Sequence, residues 1–239
     1  MTQEPKPLVV VTGASSGIGL AISEALLEAG FAVLGMARNF AKSGLSHAAF
    51  TPIAIDLADL DALPARLGQV MDGLDQPVRA LVNNAGMGKM GFLEQLSISD
   101  MRRVMDLNFM SHAIVTKAFL PDMKQQQQGD ILFIGSEAGL RGARQGSIYC
   151  ASKFAVRGFA QALRDECGKA GVRVTLINPG AVRTPFFDEL AFAPGATPDN
   201  AIDPADIARA VLLVLRARAG TVFDEINLSP LNHVWQKKL

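Results

Sequence analysis

The chain alternates between short apolar runs and longer segments whose apolar residues recur with helical spacing. The runs fall at 8–12, 31–36, 52–56, 79–83, 130–135, 172–178 and 222–228. Most are rich in Val, Ile and Leu without interruption, the pattern of strands covered on both faces. Between the first two runs, Ile18, Ile22, Ala25, Leu26 and Ala29 share one face of a helix. Gly30 ends that helix and Phe31 opens the next strand. Repetition of this unit predicts an α/β fold, a doubly wound parallel sheet of about seven strands with helices on both faces.

No internal repeat or linker interrupts the pattern, so residues 1–239 are expected to form a single domain. The tract Gln125–Gln128 precedes a predicted strand and reads as a polar surface loop. The segment 184–203 breaks the alternation. It carries Pro185, Pro194, Gly195 and Pro198 among Phe186, Phe187, Leu190 and Phe192. Irregular, partly apolar chain of that length in one domain points to a substrate lid or a disordered insert, and the lid is the expectation.

Composition narrows the function classes. With 49% hydrophobic and 19% charged residues, the chain has material for a full core and is not a disordered sequence. Lys and Arg together number 23, as do Asp and Glu, which argues against a nucleic-acid partner. No apolar run approaches the ~20 residues that cross a bilayer, so no membrane partner is expected. The first seven residues are polar, with Pro5 and Pro7, and 8–11 is too short for a signal-peptide core; a cytoplasmic protein is expected. Cys150 and Cys167 form no framework, and with His47, His112 and His233 scattered, no metal site is expected.

The first strand leads directly into Thr12-Gly13-Ala14-Ser15-Ser16-Gly17-Ile18-Gly19, which opens the first helix. Gly13 can take a backbone conformation closed to other residues. Gly17 lets the backbone approach a pyrophosphate, and Gly19 lets the helix pack closely on the strand. The helix N-terminus supplies free N–H groups and the positive end of the dipole. A glycine turn without a ligand has the same residues, but this strand–turn–helix context favours a Rossmann-type dinucleotide site. The spacing G-x-x-x-G-x-G resembles that of the short-chain dehydrogenase/reductase family, in its ordinary single-domain branch.

The cofactor's identity depends on the end of the second strand. An NAD site usually places an acidic residue there, yet no carboxylate lies between Glu28 and Asp56. Instead the strand ends in Arg38, with Lys42 close behind, and a guanidinium suits the 2′-phosphate of NADP(H). Arginine after this strand also resembles the NADP-using members. Asp56-Leu57 resembles the family's adenine contact. Asn83-Asn84-Ala85-Gly86 resembles its N-N-A-G motif, which in relatives steadies the central strand and lies along the adenine ribose. Pro179-Gly180-Ala181-Val182-Arg183-Thr184 resembles its P-G motif. There the resemblance implies that Val182 and Thr184 contact the nicotinamide amide and the phosphates.

Tyr149 and Lys153 stand four apart in a helical segment, so both can project into one cleft. Free tyrosine titrates near ~10, and a close ammonium stabilises the phenolate. The expectation is a phenol made more acidic by Lys153, able to protonate a carbonyl oxygen as its carbon receives hydride. Tyr-x-x-x-Lys alone is a weak signal, but Tyr149 is the only tyrosine in the chain. Ser136 ends the 130–135 strand thirteen residues earlier, the family's spacing for its catalytic serine. A serine at a strand end is more often a turn former, so its weight comes from the tyrosine. Asn108 matches the fourth family position, which bends a helix and holds a water linking lysine to solvent.

The resemblance implies a catalytic set of Asn108, Ser136, Tyr149 and Lys153. It implies a cofactor surface of Gly13, Ser15, Ser16, Gly17, Ile18, Gly19, Arg38, Asp56, Leu57, Asn84, Ala85, Gly86, Tyr149, Lys153, Pro179, Gly180, Val182 and Thr184. The substrate would be a small carbonyl or alcohol, and the chain a homodimer or homotetramer built on helices near 100–119 and 149–170. The tail around Val234 and Trp235 is an added contact in that expectation. Two departures stand out: the C-terminus lacks the family's frequent D-G-G ending, and Glu137 beside Ser136 has no assigned role. Arg141 and Arg144 fit either a carboxylate-bearing substrate or plain solvated arginines. Cys150 reads as a small buried residue. An NADP(H)-sensing regulator without turnover is the competing reading, disfavoured by the complete acid–base set; a sugar-nucleotide epimerase is a third, disfavoured by glycine spacing.

Overall fold

Five consecutive apolar-to-polar positions, Leu8–Thr12, form β1, buried along its whole length. Its side chains alternate between two cores: Leu8 and Val10 point into one, Val9 and Val11 into the other. The structure, a computed structural model, describes residues 5–238. The polar stretch read above as excluding a signal peptide therefore falls partly outside the described residues.

From β1 the chain continues through α1 (Gly17–Glu28), β2 (Ala32–Ala37), β3 (Phe50–Ala54), α2 (Leu63–Asp72), β4 (Val78–Asn83) and α3 (Ile98–Met105). Then follow α4 (Ser111–Gln125), β5 (Gly129–Ile134), α5 (Ser147–Cys167) and β6 (Val172–Pro179). It finishes with β7 (Phe192–Pro194), α6 (Pro204–Arg216), β8 (Glu225–Leu228) and β9 (Trp235–Lys237). Seven strands form one sheet in the order β3-β2-β1-β4-β5-β6-β8. All its pairings are parallel, as the alternating pattern predicts. Helices α1 and α6 supply Ile22, Leu26, Ile207 and Val211 to one face. On the other, α2, α4 and α5 supply Leu67, Phe119 and Val156.

Two strands differ from the sequence expectation. β3 begins at Phe50, two residues before the predicted start, because Phe50 pairs with Val33 and its ring packs edge-on against Phe40 at 5.7 Å. It is also an edge strand, largely exposed, which accommodates Pro52. β8 starts only at Glu225: a turn closed by Thr221 N–H on the Arg218 carbonyl precedes it, and the chain first meets β6 at the Asp224 carbonyl, which accepts from Leu176 N–H at 3.1 Å.

The segment 184–203 is ordered. Val182 bridges Ile202, so its two ends meet at the sheet's rim. Within it, β7 pairs antiparallel with β9 from the C-terminal tail. Neither three-residue strand is visible in the apolar pattern.

The sheet's connectivity positions the site. After β3 the chain crosses to β4 on the far side of β1, so strand order reverses between β1 and β4. In such a sheet the crevice lies outside the C-terminal strand ends at the reversal. The glycine turn follows β1, Arg38 follows β2, Asn83–Gly86 closes β4, Ser136 follows β5 and Pro179 closes β6. Every motif of the sequence analysis on these loops therefore opens onto one rim.

Candidate active site

At the glycine turn, Gly13 has φ +66° and Gly17 φ +52°, the left-handed region that a Cβ disfavours. Gly13 and Ala14 donate their N–H groups to the Met36 carbonyl, which ties the turn to the end of β2. A Cβ on Gly19 would collide with the Gly13 carbonyl and the Asn84 amide, so close packing of helix on turn requires glycine there. The N-cap residue Ser16 makes no side-chain cap hydrogen bond, and the first turn of α1 holds no acidic residue. Its N–H groups thus face the rim without a competing anion. Ser15, Ser16 and Thr184 add hydroxyl donors around the turn, and a Cβ on Gly17 would touch Thr184 at 3.2 Å. Donors and no carboxylate are the chemistry a pyrophosphate needs, so the residues present fit a dinucleotide.

Thr12, not singled out from the sequence, organises the neighbouring motif. Its hydroxyl accepts from the N–H groups of Asn84, at 2.9 Å, and Ala85, at 3.0 Å. Asn84 Nδ2 donates back to the Thr12 carbonyl at 2.9 Å, and Asn83 Nδ2 bonds Thr116 Oγ1 at 3.0 Å. Gly86 sits against Asn108 Oδ1. Arg38 is exposed directly beyond β2 and, among the described residues, makes no ion pair. Ile55 N–H bonds the Ala37 carbonyl at 2.9 Å, placing Asp56 beside Arg38's strand end. Asp56 is exposed and accepts from Ala58 N–H, while Leu57 is buried. Val182 is also buried, packed in the core, and Thr184 accepts from Phe186 N–H at 3.4 Å.

Tyr149 and Lys153 both lie in the first turns of α5 and are buried, 8% and 5% exposed. The Lys153 ammonium lies 6.0 Å from the centroid of the Tyr149 ring. It donates to the Ile134 carbonyl at 3.0 Å, at the end of β5. The expected acidification of the phenol is not what this arrangement produces. Burial dominates and pushes Tyr149 up to about 12, the Ser136 hydroxyl counteracts, and the Glu137 carboxylate adds to the rise. Burial likewise pushes Lys153 down to about 8. Both groups are driven toward their neutral forms because a low-dielectric surrounding penalises charge.

Ser136 caps the short turn Glu137–Gly139, its Oγ accepting from Ala138 N–H at 3.1 Å. Asn108 occupies a π-turn, Asp106–Met110, that joins α3 to α4, the kind of widened turn that recurs at functional sites. Its side chain is fully engaged: Oδ1 accepts from Met87 N–H at 2.8 Å, while Nδ2 donates to the Met87 carbonyl and Ser152 Oγ. A second unanticipated residue is His112, one helical turn along. It is buried, bonds the Ala85 carbonyl through Nε2 at 2.7 Å, and leaves Nδ1 without a partner. Spacing of four from Asn108 was the available signal. Desolvation and the nearby Lys153 charge push His112 down to about 3, so it is neutral.

Around this centre the segment 184–203 contributes Phe186, whose ring lies 5.8 Å from that of Tyr149. Glu137 faces His233 from the C-terminal tail at 3.9 Å. Arg141 and Arg144 are exposed, and Arg144 stacks over Phe92 at 5.2 Å. Cys150 is buried and unpaired, as expected of a small packing residue.

Residues 7–193 match the family model described as short chain dehydrogenase. Human retinol dehydrogenase 8 is 35% identical over 205 residues, covering 80% of this chain and 66% of that protein. The chain thus spans just under two thirds of that relative's length. A sepiapterin reductase from Chlorobaculum tepidum is 30% identical, covering 94% of this chain and 96% of its own. An alcohol dehydrogenase from the archaeon Thermococcus sibiricus, solved with 5-hydroxy-NADP, superposes with a TM-score of 0.82. It is 27% identical and covers 93% of this chain and 96% of that one. A match from residue 7 to residue 193 takes in most of the chain, and on it the protein belongs to the short-chain dehydrogenase family.

Proposed function

We propose that this protein is an NADP(H)-dependent oxidoreductase that moves hydride between nicotinamide C4 and the carbon of a small, apolar carbonyl or secondary alcohol. The observation that carries this reading is the joint burial of Tyr149 and Lys153 beside Ser136 at the rim where strand order reverses. When bound, the dinucleotide supplies the hydride chemistry. Tyr149 Oη gives its proton to the carbonyl oxygen in reduction and takes it back in oxidation. A phenol raised to about 12 is fully protonated at neutral pH, which suits the reductive direction. Lys153, at about 8, is still largely cationic at pH 7 and lies close enough to steady the phenolate left behind. Ser136 Oγ orients the substrate oxygen. Asn108 braces Met87 and Ser152 around them and completes the catalytic set.

Gly13, Ser15, Ser16, Gly17, Ile18, Gly19, Pro179, Gly180, Val182 and Thr184 would hold the pyrophosphate and nicotinamide, and Asp56, Leu57, Asn84, Ala85 and Gly86 the adenosine. Arg38 would pair with the 2′-phosphate; the archaeal alcohol dehydrogenase that binds an NADP derivative supports that choice. The segment 184–203 acts as the lid of a single dinucleotide-binding domain, and its phenylalanines support an apolar substrate. Homodimer or homotetramer formation fits the exposed Met110, at the head of α4, and Phe154 on α5. Two buried, unpaired cysteines suit a reducing cytoplasm. The test is a screen of NADPH and NADH oxidation over aldehydes, ketones, ketoesters and diketones. Turnover with NADPH preferred is expected; NADPH binding without turnover of any carbonyl would favour a sensing role instead.

A further inference from the structure

The C-terminal tail is built onto the lid at several points. β9 pairs with β7 in the register Phe192 with Lys237 and Pro194 with Trp235. Flanking bonds extend the contact: Gly195 N–H to the Val234 carbonyl, Asn232 N–H to Asp199, and Lys238 N–H to Ala191, each 2.9 Å. The Lys238 ammonium also donates to the carbonyls of Phe187 and Asp188. Along this seam runs an unbroken series of ring contacts. Trp235 lies 5.2 Å from Phe192 and 5.9 Å from Phe187, Phe187 lies 5.2 Å from Phe186, and Phe186 lies 5.8 Å from Tyr149. Opposite, Gly88 leaves room for the Phe186 ring, since a Cβ there would come within 2.6 Å of its Cζ.

From this juxtaposition we infer that Trp235 is a specificity-determining positioning residue: it latches the lid so that Phe186 stands beside the reacting phenol, selecting carbonyl substrates with a flat apolar group that stacks on that ring. The inference rests on the oxidoreductase reading and gives it a substrate class, aryl and cyclic carbonyls over short aliphatic ones. The Trp235–Phe192 and Phe187–Phe186 contacts are edge-on and the Trp235–Phe187 and Phe186–Tyr149 contacts tilted. Such pairs add stability beyond their area, so removing the outermost ring leaves the next one inward without a wall. Trp235 itself touches neither Tyr149 nor the substrate position; it acts through Phe187 and Phe186.

Steady-state kinetics on Trp235→Ala and Trp235→Phe, with an aryl ketone and a short aliphatic ketone, test this. In Trp235→Ala the KM for the aryl ketone should rise about fivefold to tenfold, the scale of one lost aromatic contact. Its kcat, its NADPH affinity and its KM for the aliphatic ketone should stay within about twofold, and Trp235→Phe should restore the aryl KM. Adding Phe186→Ala to Trp235→Ala should produce little further loss, because the two act in series. An unchanged aryl KM, a joint fall of kcat and NADPH affinity, or additive losses would overturn the proposal. Should wild type reduce no carbonyl at all, the oxidoreductase reading and the substrate preference fail together. The latch is then judged by hydrogen exchange: the Leu190 and Gly195 amides should exchange faster in Trp235→Ala but not in Trp235→Phe, and equal protection in all three refutes it.

Discussion

Burying a phenol and an amine in one crevice moves both toward neutrality, Tyr149 up to about 12 and Lys153 down to about 8. The pair was legible in the sequence because Tyr149 is the only tyrosine and Lys153 follows at helical spacing. The balance between burial and charge was not, because it depends on how deeply the packed fold buries both groups. His112 was hidden because its partner, the Ala85 carbonyl, is supplied by a distant strand end. Its neutrality has a measurable consequence. The unfolded chain takes up a proton on this ring below its ordinary 6.5, whereas the folded chain does so only near about 3. Stability is therefore full above about pH 6.5 and falls as pH drops toward 3, by up to about 1.4 kcal/mol per pH unit from this group. Urea unfolding at pH 7.5, 6 and 5 should show a steeper loss in wild type than in His112→Gln; parallel slopes would refute it. At Arg38 the prediction concerns cofactor choice. Arg38→Asp should lower the ratio of kcat/KM for NADPH over NADH by about 10–100-fold, the scale of a charge-assisted contact replaced by repulsion. An unchanged ratio rejects its role.

Elements were legible wherever apolar runs were long enough to carry a period. β1, β2, β4, β5 and β6 lie where the pattern places them, within a residue or two. β7 and β9 have three residues each, too few for alternation to show, and their pairing joins the segment 184–203 to the C-terminal tail across some forty residues. The apolar spacing through α3 and α4 does not show the π-turn at Asn108 either; only the family resemblance implied a bend there. The glycine turn is the opposite case, where residue type and geometry coincide. Gly19→Ala places a methyl against the Gly13 carbonyl and Asn84, so α1 must shift off the turn. We expect a stability loss of about 1–3 kcal/mol by thermal or urea unfolding, from overpacking. NADPH affinity, measured by fluorescence titration, should fall at least about tenfold, as a shift of that size misaligns the helix N-terminus. Wild-type affinity in this variant would contradict the role given to the turn.

Across the whole molecule, alternation of strand and helix predicts the parallel sheet, and the reversal of strand order between β1 and β4 explains why loops distant in sequence share one rim. The opposite end of the sheet carries a different chemistry: Asp130 is buried between Arg79 and Arg173, an ion network remote from the rim loops. The family resemblance read from the motifs agrees with the match over residues 7–193. The contacts among Phe186, Phe187, Phe192 and Trp235 were the least legible feature, because they form only once the segment 184–203 and the C-terminal tail are brought together. The central claim, that Tyr149 passes a proton at this rim, is tested most directly by comparing Tyr149→Phe with wild type for NADPH oxidation and NADPH binding. Turnover should fall about 10²–10⁴-fold while the dissociation constant for NADPH stays near that of wild type. Wild-type turnover in the phenylalanine variant would contradict it.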